Sequence, residues 1–388
     1  MDGQLQHALL TPSRIGDVNR SRVLQVLCDH GALSRAELAK TAGVTRATIG
    51  NIVQGLIDDG ILEEGEPQTG LGRVGKPGTP VWFGARAGLS GAVAVSAEGI
   101  EAALVNARGD VLDVTDRPLA RGAGAAAVAA AATDALRAVL PRRGELLGIG
   151  VAVPGVVDAE RGLVVGSGQM PGLDGAALAS LIGEGFSHQV LLDNDSRAQA
   201  LGEKWFGEGK GVRTFVSLQT GHGLGAGIVI DGVVLRGRDG LTGEIGHTCV
   251  VPDGEPCRCG LRGCWETIAT LGWLRAEAKR RKIKRADALD AASLLTLGDD
   301  DLLAQYVDNL AIGLANITQL LNPDALILHG DAARGGEPFR ALVEDAVRAR
   351  SLATLRPSVR VVLSTLDQRA ALLGAAGLVL SETFNLAS

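Results

Sequence analysis

The chain is poor in aromatic residues, in methionine and in cysteine. Among 388 residues it has six Phe, four Trp, one Tyr, two Met and five Cys, which does not suit a small fold held by disulfides. Hydrophobic residues nevertheless make up 46% of the chain, and glycine occupies 54 positions. This composition excludes intrinsic disorder and favours α/β structure with many glycine turns. The length predicts two to three domains of roughly 150 residues each.

The sequence also lacks a long apolar run. The most apolar stretch, residues 123–132, is mostly alanine and is shorter than the ~20 apolar residues that span a bilayer. Residues 1–16 contain Asp2, His7, Pro12 and Arg14, whereas a secretory signal has a basic start followed by an apolar block. We therefore expect no membrane partner and a cytoplasmic protein with reduced cysteines.

Charge is unevenly distributed along the chain. With 38 basic and 44 acidic residues the formal net charge is -6, which by itself argues against nucleic-acid binding. Residues 1–86, however, carry nine basic and nine acidic residues, so the acidic excess belongs entirely to residues 87–388. Because phosphate attraction is screened over about 8 to 10 Å, the local face matters more than the total.

The N-terminal residues have the pattern of a winged helix-turn-helix. Apolar spacing predicts three helices, the second capped by Ser34 with Glu37 at its third position and the third capped by Thr45. Residues 61–64 and 80–83 predict two short strands that would form the wing. The alternative is a small helical module whose polar face is only solvated. Side chains that could contact DNA are Ser34, Thr45, Arg46, Thr48, Asn51, Gln54 and, in the wing loop, Arg73 and Lys76.

Strands and helices alternate from residue 89 onwards. A meander of three strands is followed by helix, strand, helix, strand and helix, and near Arg213 the scheme starts again. This pattern predicts two related α/β halves. We therefore divide the chain into a head, residues 1–86, and a body, residues 87–388. The body would have one lobe at about 87–195 plus the C-terminal helix and a second lobe at 196–366.

Four of the residues between 247 and 264 have the chemistry of a metal site. One imidazole and three thiolates satisfy tetrahedral zinc, and the candidates are His247, Cys257, Cys259 and Cys264. The alternative is a set of reduced thiols that lie together by chance. We interpret Cys249 as a residue of a core strand and Cys28 as a packing residue of the first helix.

Polar groups also follow an apolar strand at Asn194 and Asp195. Ligand groups of α/β proteins often lie at strand ends, and these two side chains could hold sugar hydroxyls, with the carboxylate able to accept a proton. By themselves they are more typical of a helix cap. The glycine-rich turn at residues 220–227 could let backbone amides approach a phosphate, or could simply bend a sheet.

These motifs resemble the ROK family of bacterial repressors, uncharacterised reading frames and sugar kinases. The resemblance covers almost the whole chain and rests on residues 153–158, 193–195, 220–227 and above all 243–247 (Gly-Glu-Ile-Gly-His) with 257–266. It implies a two-lobed actin-like ATPase fold, of the ribonuclease H-like type, behind the winged helix-turn-helix. It also implies a structural zinc ion, bound through one ring nitrogen of His247, and a sugar pocket lined by Asn194, Asp195, Glu244, His247 and Glu266.

Three segments depart from the sugar-kinase pattern of this family. Residues 96–99 read Ser-Ala-Glu-Gly where the kinases carry an aspartate that organises metal and phosphate, and Glu98 would repel a nucleotide. Residues 329–331 read His-Gly-Asp in place of paired glycines, and residues 169–173 replace the Asn and Trp that the kinases tend to have. We therefore expect no catalysis, although Asp195 could serve as a base.

The expected function is a sugar-responsive transcriptional regulator, in particular a repressor of carbohydrate genes. Its expected partners are operator DNA and a sugar or sugar derivative, and its expected assembly is a homodimer or homotetramer. The alternative is an ATP-dependent sugar kinase with an appended DNA-binding head. A third reading is a carbohydrate-binding module whose head docks another protein.

Overall fold

The computed structural model describes residues 12–66, 78–141 and 146–384. The head contains three helices, α1 (Pro12–His30), α2 (Arg35–Ala42) and α3 (Arg46–Asp58), and three short strands, β1 (Leu33–Ser34), β2 (Leu62–Glu64) and β3 (Pro80–Phe83). The strands form an antiparallel sheet in the order β1-β3-β2. The predicted winged helix-turn-helix is therefore confirmed. Arg73 and Lys76 lie outside the described residues.

Helix capping explains why the helices of the head begin where they do. The Ser34 hydroxyl accepts the backbone N–H of Glu37, and the Glu37 carboxylate accepts the backbone N–H of Ser34, which makes a capping box. Thr45 caps α3 by accepting the N–H of Thr48. Gly43 ends α2 at a φ of +66°, a left-handed conformation that glycine adopts without strain.

The body contains the remaining strands and helices of the described residues. The strands are β4 (Ser90–Val95), β5 (Gly99–Val105), β6 (Val111–Pro118), β7 (Gly148–Val153), β8 (Val156–Asp158), β9 (Leu163–Gly166), β10 (Val190–Asn194), β11 (Phe215–Thr220), β12 (Gly225–Ile230), β13 (Val233–Val234), β14 (Ala325–Gly330) and β15 (Val361–Leu363). The helices are α4 (Ala125–Val139), α5 (Leu178–Gly183), α6 (Asp195–Phe206), α7 (Leu271–Arg280), α8 (Ala291–Leu294), α9 (Asp300–Leu321), α10 (Asp331–Arg334), α11 (Gly336–Arg350) and α12 (Ala370–Thr383). None of these described helices is long and apolar enough to span a membrane.

Two five-stranded sheets repeat the same plan. The first has the order β10-β7-β4-β5-β6 and the second the order β13-β12-β11-β14-β15. In each sheet three strands form an antiparallel meander. A fourth strand pairs in parallel with the first strand of the meander, and a fifth pairs in parallel with the fourth. The two α/β halves predicted from the sequence are confirmed. The hairpin β8–β9 was not predicted, because its strands have only three and four residues.

Helices α6 and α12 cross in the body at glycine contacts. A Cβ atom on Gly374 would lie 1.6 Å from the carbonyl oxygen of Ala198, and one on Gly202 would lie 2.3 Å from that of Ala370. Both glycines therefore allow an approach that no side chain would permit. Helix α6 begins directly after β10 of the first sheet. The close contact with α12 therefore fixes the position of the residues at the end of β10.

The head packs directly on the body through an aromatic cluster. The ring of Phe83 stacks on that of Phe384, with 5.6 Å between centroids, and lies 6.2 Å from that of Trp205 on α6. The side chain of Arg108 donates to the carbonyl oxygen of Phe83 at 2.6 Å. Ser21 of α1 donates its hydroxyl to the carbonyl oxygen of Phe384 at 3.2 Å. The apolar core of the head is therefore continuous with that of the body.

Candidate functional site

Four side chains that could hold a metal ion converge between residues 247 and 264. The ligand atoms of His247, Cys257, Cys259 and Cys264 all lie within 4.8 Å of one another. The Nδ1 atom of His247 lies 3.5 Å from the Sγ of Cys257, and the sulfurs of Cys259 and Cys264 lie 3.7 Å apart. Tetrahedral ligands bound at about 2.3 Å would be separated by about 3.8 Å. The spacing of the cluster therefore fits a bound metal ion.

Tight turns bring the three cysteines together. The backbone N–H of Cys257 donates to the carbonyl oxygen of Leu261 at 2.8 Å, and that of Gly260 donates to Cys257 at 3.0 Å. Gly263 has a φ of +69°, and a Cβ atom there would lie 1.8 Å from the carbonyl oxygen of Val251. Only glycine fits this position, so the turn depends on it.

Two thiols of the cluster are buried, which affects their protonation. Burial raises the pKa of Cys264 to about 12, and burial also raises the pKa of Cys257. A metal ion binds the thiolate form, so its binding must release the protons that these thiols hold. Metal affinity at this cluster is therefore expected to rise with pH.

Two carboxylates flank the imidazole of His247. The Nε2 atom lies 3.9 Å from a carboxylate oxygen of Glu244, and the Nδ1 atom lies 3.9 Å from one of Glu266. Nδ1 is also the ring nitrogen that faces Cys257, so Nε2 is left toward Glu244. The metal cluster and two of the residues predicted to bind sugar are thus contiguous.

Arg258 belongs to this site, although the sequence analysis did not single it out. Its guanidinium donates to both carboxylate oxygens of Glu266, from Nε at 3.0 Å and from Nη2 at 3.4 Å. The Glu266 side chain is only 9% exposed, whereas that of Arg258 is 55% exposed. The signal in the sequence was the position of Arg258 between two metal-site cysteines, which places its side chain beside the metal cluster.

Asn194 and Asp195 lie at the N-terminus of α6. The amide oxygen of Asn194 accepts the backbone N–H groups of Ser196 at 3.0 Å and Arg197 at 3.1 Å, and its amide nitrogen donates to Gly155 and to Asp195. Asn194 is therefore the cap of α6, one of the two interpretations that the sequence left open. Burial raises the pKa of Asp195 to about 6, and the nearby carboxylate of Glu244 adds to the rise.

The glycine-rich turn between β11 and β12 lies between α6 and the metal-site loop and contacts both. A Cβ atom on Gly225 would lie 2.4 Å from the Ser196 hydroxyl. A Cβ atom on Gly223 would lie 3.4 Å from the Arg258 guanidinium and 3.7 Å from the Glu266 carboxylate. The turn therefore brings the helix that begins at Asp195 beside the Arg258–Glu266 pair.

A buried network of ion pairs lies at the end of β10, next to Asn194 and Asp195. Asp193 is 1% exposed and binds Arg197 at 2.6 Å and Arg236 at 3.1 Å. Arg197 also donates to the carbonyl oxygens of Gly240 and Val157. Removing one partner of such a buried pair typically costs about 3 to 5 kcal/mol, because a charge is then left uncompensated. The sequence did not reveal this network, since Arg236 and the two carbonyl groups come from segments distant from Asp193.

Comparison with known proteins decides the classification of the chain. The family model of ROK matches residues 90–382, and that of the MarR family matches residues 17–70. The chain belongs to the ROK family. Its fold is the ROK fold preceded by a winged helix, as the sequence predicted, and the winged helix is of the MarR type.

Individual ROK relatives include both repressors and kinases. The chain is 28% identical to a putative xylose repressor of Caldicellulosiruptor sp. (strain Rt8B.4), over 95% of this chain and 96% of that protein. It is 34% identical to a glucokinase of Thermotoga maritima, over 60% of this chain and 78% of that protein. A crystal structure of a ROK family transcriptional regulator, a homolog of the E. coli MLC protein, matches with a TM-score of 0.77 and 27% identity, over 96% of this chain and 99% of that one.

Five of the residues predicted to contact DNA lie on α3 of the head or at its start. Arg46, Asn51 and Gln54 are exposed on that helix, and Thr45 is exposed at its start. The Gln54 amide donates to Asp58 at 2.9 Å, and Ser34, at the start of α2, forms the capping box with Glu37. Thr48 is half-buried and its hydroxyl contacts that of Thr45 at 2.8 Å. Contact of these side chains with DNA stays a prediction.

Two of the segments that depart from the ROK kinase pattern make defined contacts in the described structure. The Ser96 hydroxyl accepts the backbone N–H groups of Glu98 and Gly99 and closes the β4–β5 turn. His329 is 2% exposed, and burial lowers its pKa to about 3. Asp331 is fully buried and accepts the Tyr306 hydroxyl at 2.9 Å. His329 and Asp331 therefore lie in the interior, whereas Ser96 closes an exposed turn.

The fourth cysteine near the cluster, Cys249, does not lie where the sequence placed it. We interpreted Cys249 as a core strand residue, but its side chain is exposed. Its apolar neighbours Val250 and Val251 are themselves only partly buried, and the segment pairs with Cys264 through an isolated bridge rather than a sheet. The prediction for Cys28 is confirmed, because this residue is 1% exposed in the core of the head.

Proposed function

We propose that this chain is a sugar-responsive DNA-binding transcriptional regulator, and specifically a repressor. The observation that carries the proposal is the continuous match of head and body to a putative xylose repressor and to a ROK family transcriptional regulator. The glucokinase match covers only 60% of the chain. A head that packs on the body through Phe83, Trp205 and Phe384 supports the same conclusion, because a DNA-binding unit must be mechanically linked to the unit that senses the ligand.

The sugar would bind beside the metal cluster and the N-terminus of α6. Asp195, Glu244 and Glu266 supply carboxylate oxygens that accept hydrogen bonds from sugar hydroxyls, and the Nε2 atom of His247 faces the same side as Glu244. Asn194 would hold Asp195 in position through the hydrogen bond between their side chains. Arg258 would orient Glu266.

Zinc is the metal that suits the cluster best. One imidazole and three thiols are the ligand set of a closed structural zinc site, with no position left for a reactive water. When bound, zinc would supply structural cross-linking of the loops. His247, Cys257, Cys259 and Cys264 would hold it, and the loops that carry Glu244 and Glu266 would thereby be fixed relative to each other.

Helix α6 offers a direct route from the sugar site to the DNA-binding head. Its N-terminus carries Asp195, and Trp205 near its C-terminus contacts Phe83 of the head. The helix has 12 residues and spans about 18 Å at about 1.5 Å per residue. A small tilt of α6 on sugar binding would therefore change how the head is held. A difference in affinity of about 1 to 3 kcal/mol between two arrangements is enough for regulation.

The head would place α3 in the major groove of operator DNA, with the polar side chains at its exposed face. Phosphate contacts would come from Arg46 and, in the wing, from Arg73 and Lys76. We also propose that a homodimer or homotetramer presents two heads to the operator. The body would consist of two lobes, one at about 87–195 plus the C-terminal helix and one at 196–366.

Retardation of DNA from the chain's own promoter, measured over a series of salt concentrations, tests the DNA-binding half of the proposal. Failure to bind at any salt concentration would contradict it.

One observation favours a sugar kinase as a second candidate. Asp195 has a pKa of about 6, which suits a general base near neutral pH. A base needs a phosphoryl donor, however, and the segment where the kinases carry a metal-organising aspartate instead forms a closed turn around Ser96. A coupled assay of ATP consumption with a panel of hexoses separates the two candidates, since steady turnover would favour the kinase.

A further inference from the structure

Cys249 lies beside the metal cluster but is not one of its four ligands. It pairs with Cys264 in an isolated antiparallel β-bridge. The bridge is flanked by two backbone hydrogen bonds, each from the residue that follows one cysteine to the residue that precedes the other, at 2.8 and 2.9 Å. The two cysteines thus form a non-hydrogen-bonded pair, the arrangement in which directly opposed residues come closest.

This pairing has the geometry that a disulfide requires. Opposed residues of a non-hydrogen-bonded antiparallel pair have Cα atoms about 4.5 Å apart, and disulfides join Cα atoms about 4.4 to 6.8 Å apart. Side chains that are opposed in this way also point to the same face. The bridge therefore sets the two Cα atoms within the range that a disulfide spans, and side-chain rotation would bring the two sulfurs together.

We propose that Cys249 and Cys264 form a redox-sensitive thiol pair, whose closure to a disulfide withdraws one ligand from the metal cluster. The Cys264 sulfur lies 3.7 Å from that of Cys259 in the cluster, and a sulfur bonded to Cys249 can no longer donate a thiolate to a metal ion. Disulfide formation depends only on the β-bridge. Its consequence for metal binding rests on the zinc site proposed above.

The oxidant class is a peroxide, represented by hydrogen peroxide. The exposed thiol of Cys249 attacks one peroxide oxygen, so that the O–O bond breaks, a sulfenic acid forms and one water leaves. The Cys264 thiolate then attacks the sulfenic sulfur, and the S–O bond breaks as the disulfide forms. The hydroxide that leaves takes a proton from solvent and becomes a second water. Two thiols lose two electrons in total, and the peroxide gains them.

Exposure selects Cys249 as the first thiol to react. Cys28, Cys257 and Cys264 are buried, and Cys259, although exposed, would be held by the metal ion in the loaded protein. Glu266 follows Cys264 by two residues and bears the hydrogen bonds from Arg258. Loss of the metal would release this segment, so we expect oxidation to weaken sugar binding as well.

The test is peroxide treatment of the full chain, after its zinc content has been measured. Peptide mapping by mass spectrometry identifies the disulfide, and a chromogenic chelator reports released zinc. We expect a Cys249–Cys264 disulfide, with one zinc released per chain and recovered after a dithiol reductant and added zinc. At the same peroxide dose Cys249→Ser should keep its zinc, and Cys28→Ser, which changes a cysteine outside the cluster, should behave like the unmodified protein.

Two results would overturn the proposal. One is zinc release from Cys249→Ser at the rate seen for the unmodified chain. The other is a map in which Cys249 ends as a sulfinic acid, or in which two of the cluster cysteines are joined to each other instead. If the purified chain holds no zinc, the zinc assignment fails on its own, and the disulfide map still decides whether Cys249 and Cys264 pair.

Discussion

The Nδ1 atom of His247 lies 3.5 Å from the Sγ of Cys257, while the Nε2 atom of the same ring faces Glu244. A single imidazole thus connects the metal cluster to the carboxylates of the proposed sugar site. Loss of the metal should therefore impair sugar binding even though no metal ligand other than His247 would touch the sugar.

Replacement of one metal ligand should abolish zinc binding. We expect His247→Ala and Cys259→Ala to fall from about one zinc per chain to near zero, because three remaining ligands do not complete a tetrahedral site. Metal analysis of the purified variants checks this, with Cys28→Ser as the cysteine control that keeps its zinc. Full occupancy in either ligand variant would refute the assigned ligands.

Asp195 should lower the stability of the protein as the pH rises. Its folded pKa of about 6 lies above the ordinary value of 3.8, so the folded state holds the proton more tightly, and stability falls as pH rises through this interval. Asp195→Asn removes the ionisation and should be more stable than the unmodified chain by up to about 3 kcal/mol above pH 7. Denaturant unfolding should show this difference growing by about 1 kcal/mol between pH 5 and pH 8.

The same variant should lose its response to sugar. Asp195→Asn replaces a carboxylate that would accept a sugar hydroxyl, so the rise in Tm on adding the sugar should disappear. The exposed Asp301→Asn change is the matched control for loss of one carboxylate, and it should keep the rise. A variant that lacks Asp195 and still responds fully to sugar would place the pocket elsewhere.

Two residues of α3 should affect DNA binding differently. Arg46→Ala should weaken binding to all DNA sequences and reduce the slope of log affinity against log salt by about 0.9, because one phosphate contact is lost. Asn51→Ala should cost about 1 to 3 kcal/mol at the operator and little at unrelated DNA, because it would remove a base contact. Fluorescence anisotropy measures both. Lys284→Ala, an exposed lysine of the body, should change neither, and equal effects of all three would argue against α3 as the reading helix.

The contact between Phe83 and Trp205 should be needed for the effect of sugar on DNA affinity, but not for binding of sugar or of DNA alone. Phe83→Leu keeps an apolar side chain and should cost about 1 kcal/mol of stability. We expect it to bind sugar and DNA separately, with a smaller change in DNA affinity when sugar is added. Leu352→Ala, at a residue 60% exposed on the body, is the control. Unchanged coupling in Phe83→Leu would mean that the signal does not pass through this contact.

The sequence predicted the features that depend on local order. The caps at Ser34 and Thr45 follow from residues three positions apart, and the four metal-site residues were recognisable by type and spacing. Their convergence could be expected because turns within 18 residues bring them together.

Features that depend on distant segments escaped prediction. The bonds of Asp193 to Arg197 and Arg236 join residues up to 43 positions apart. The crossing of α6 and α12 depends on Gly202 and Gly374, whose importance appears only when the two helices meet. The prediction that Cys249 lies in a core strand was wrong. Three apolar residues in a row, 249–251, indicate a strand, but Cys249 forms only an isolated bridge with Cys264, which a sequence pattern does not show.

The most direct test is titration of a complex between the protein and its own promoter DNA with a panel of sugars and sugar phosphates. We predict that the protein binds this DNA with an affinity that falls as salt rises, and that at least one of these ligands lowers the affinity by about 5- to 150-fold, the range of a coupling energy of 1 to 3 kcal/mol. Binding that no sugar alters, or no binding at any salt concentration, would contradict the account.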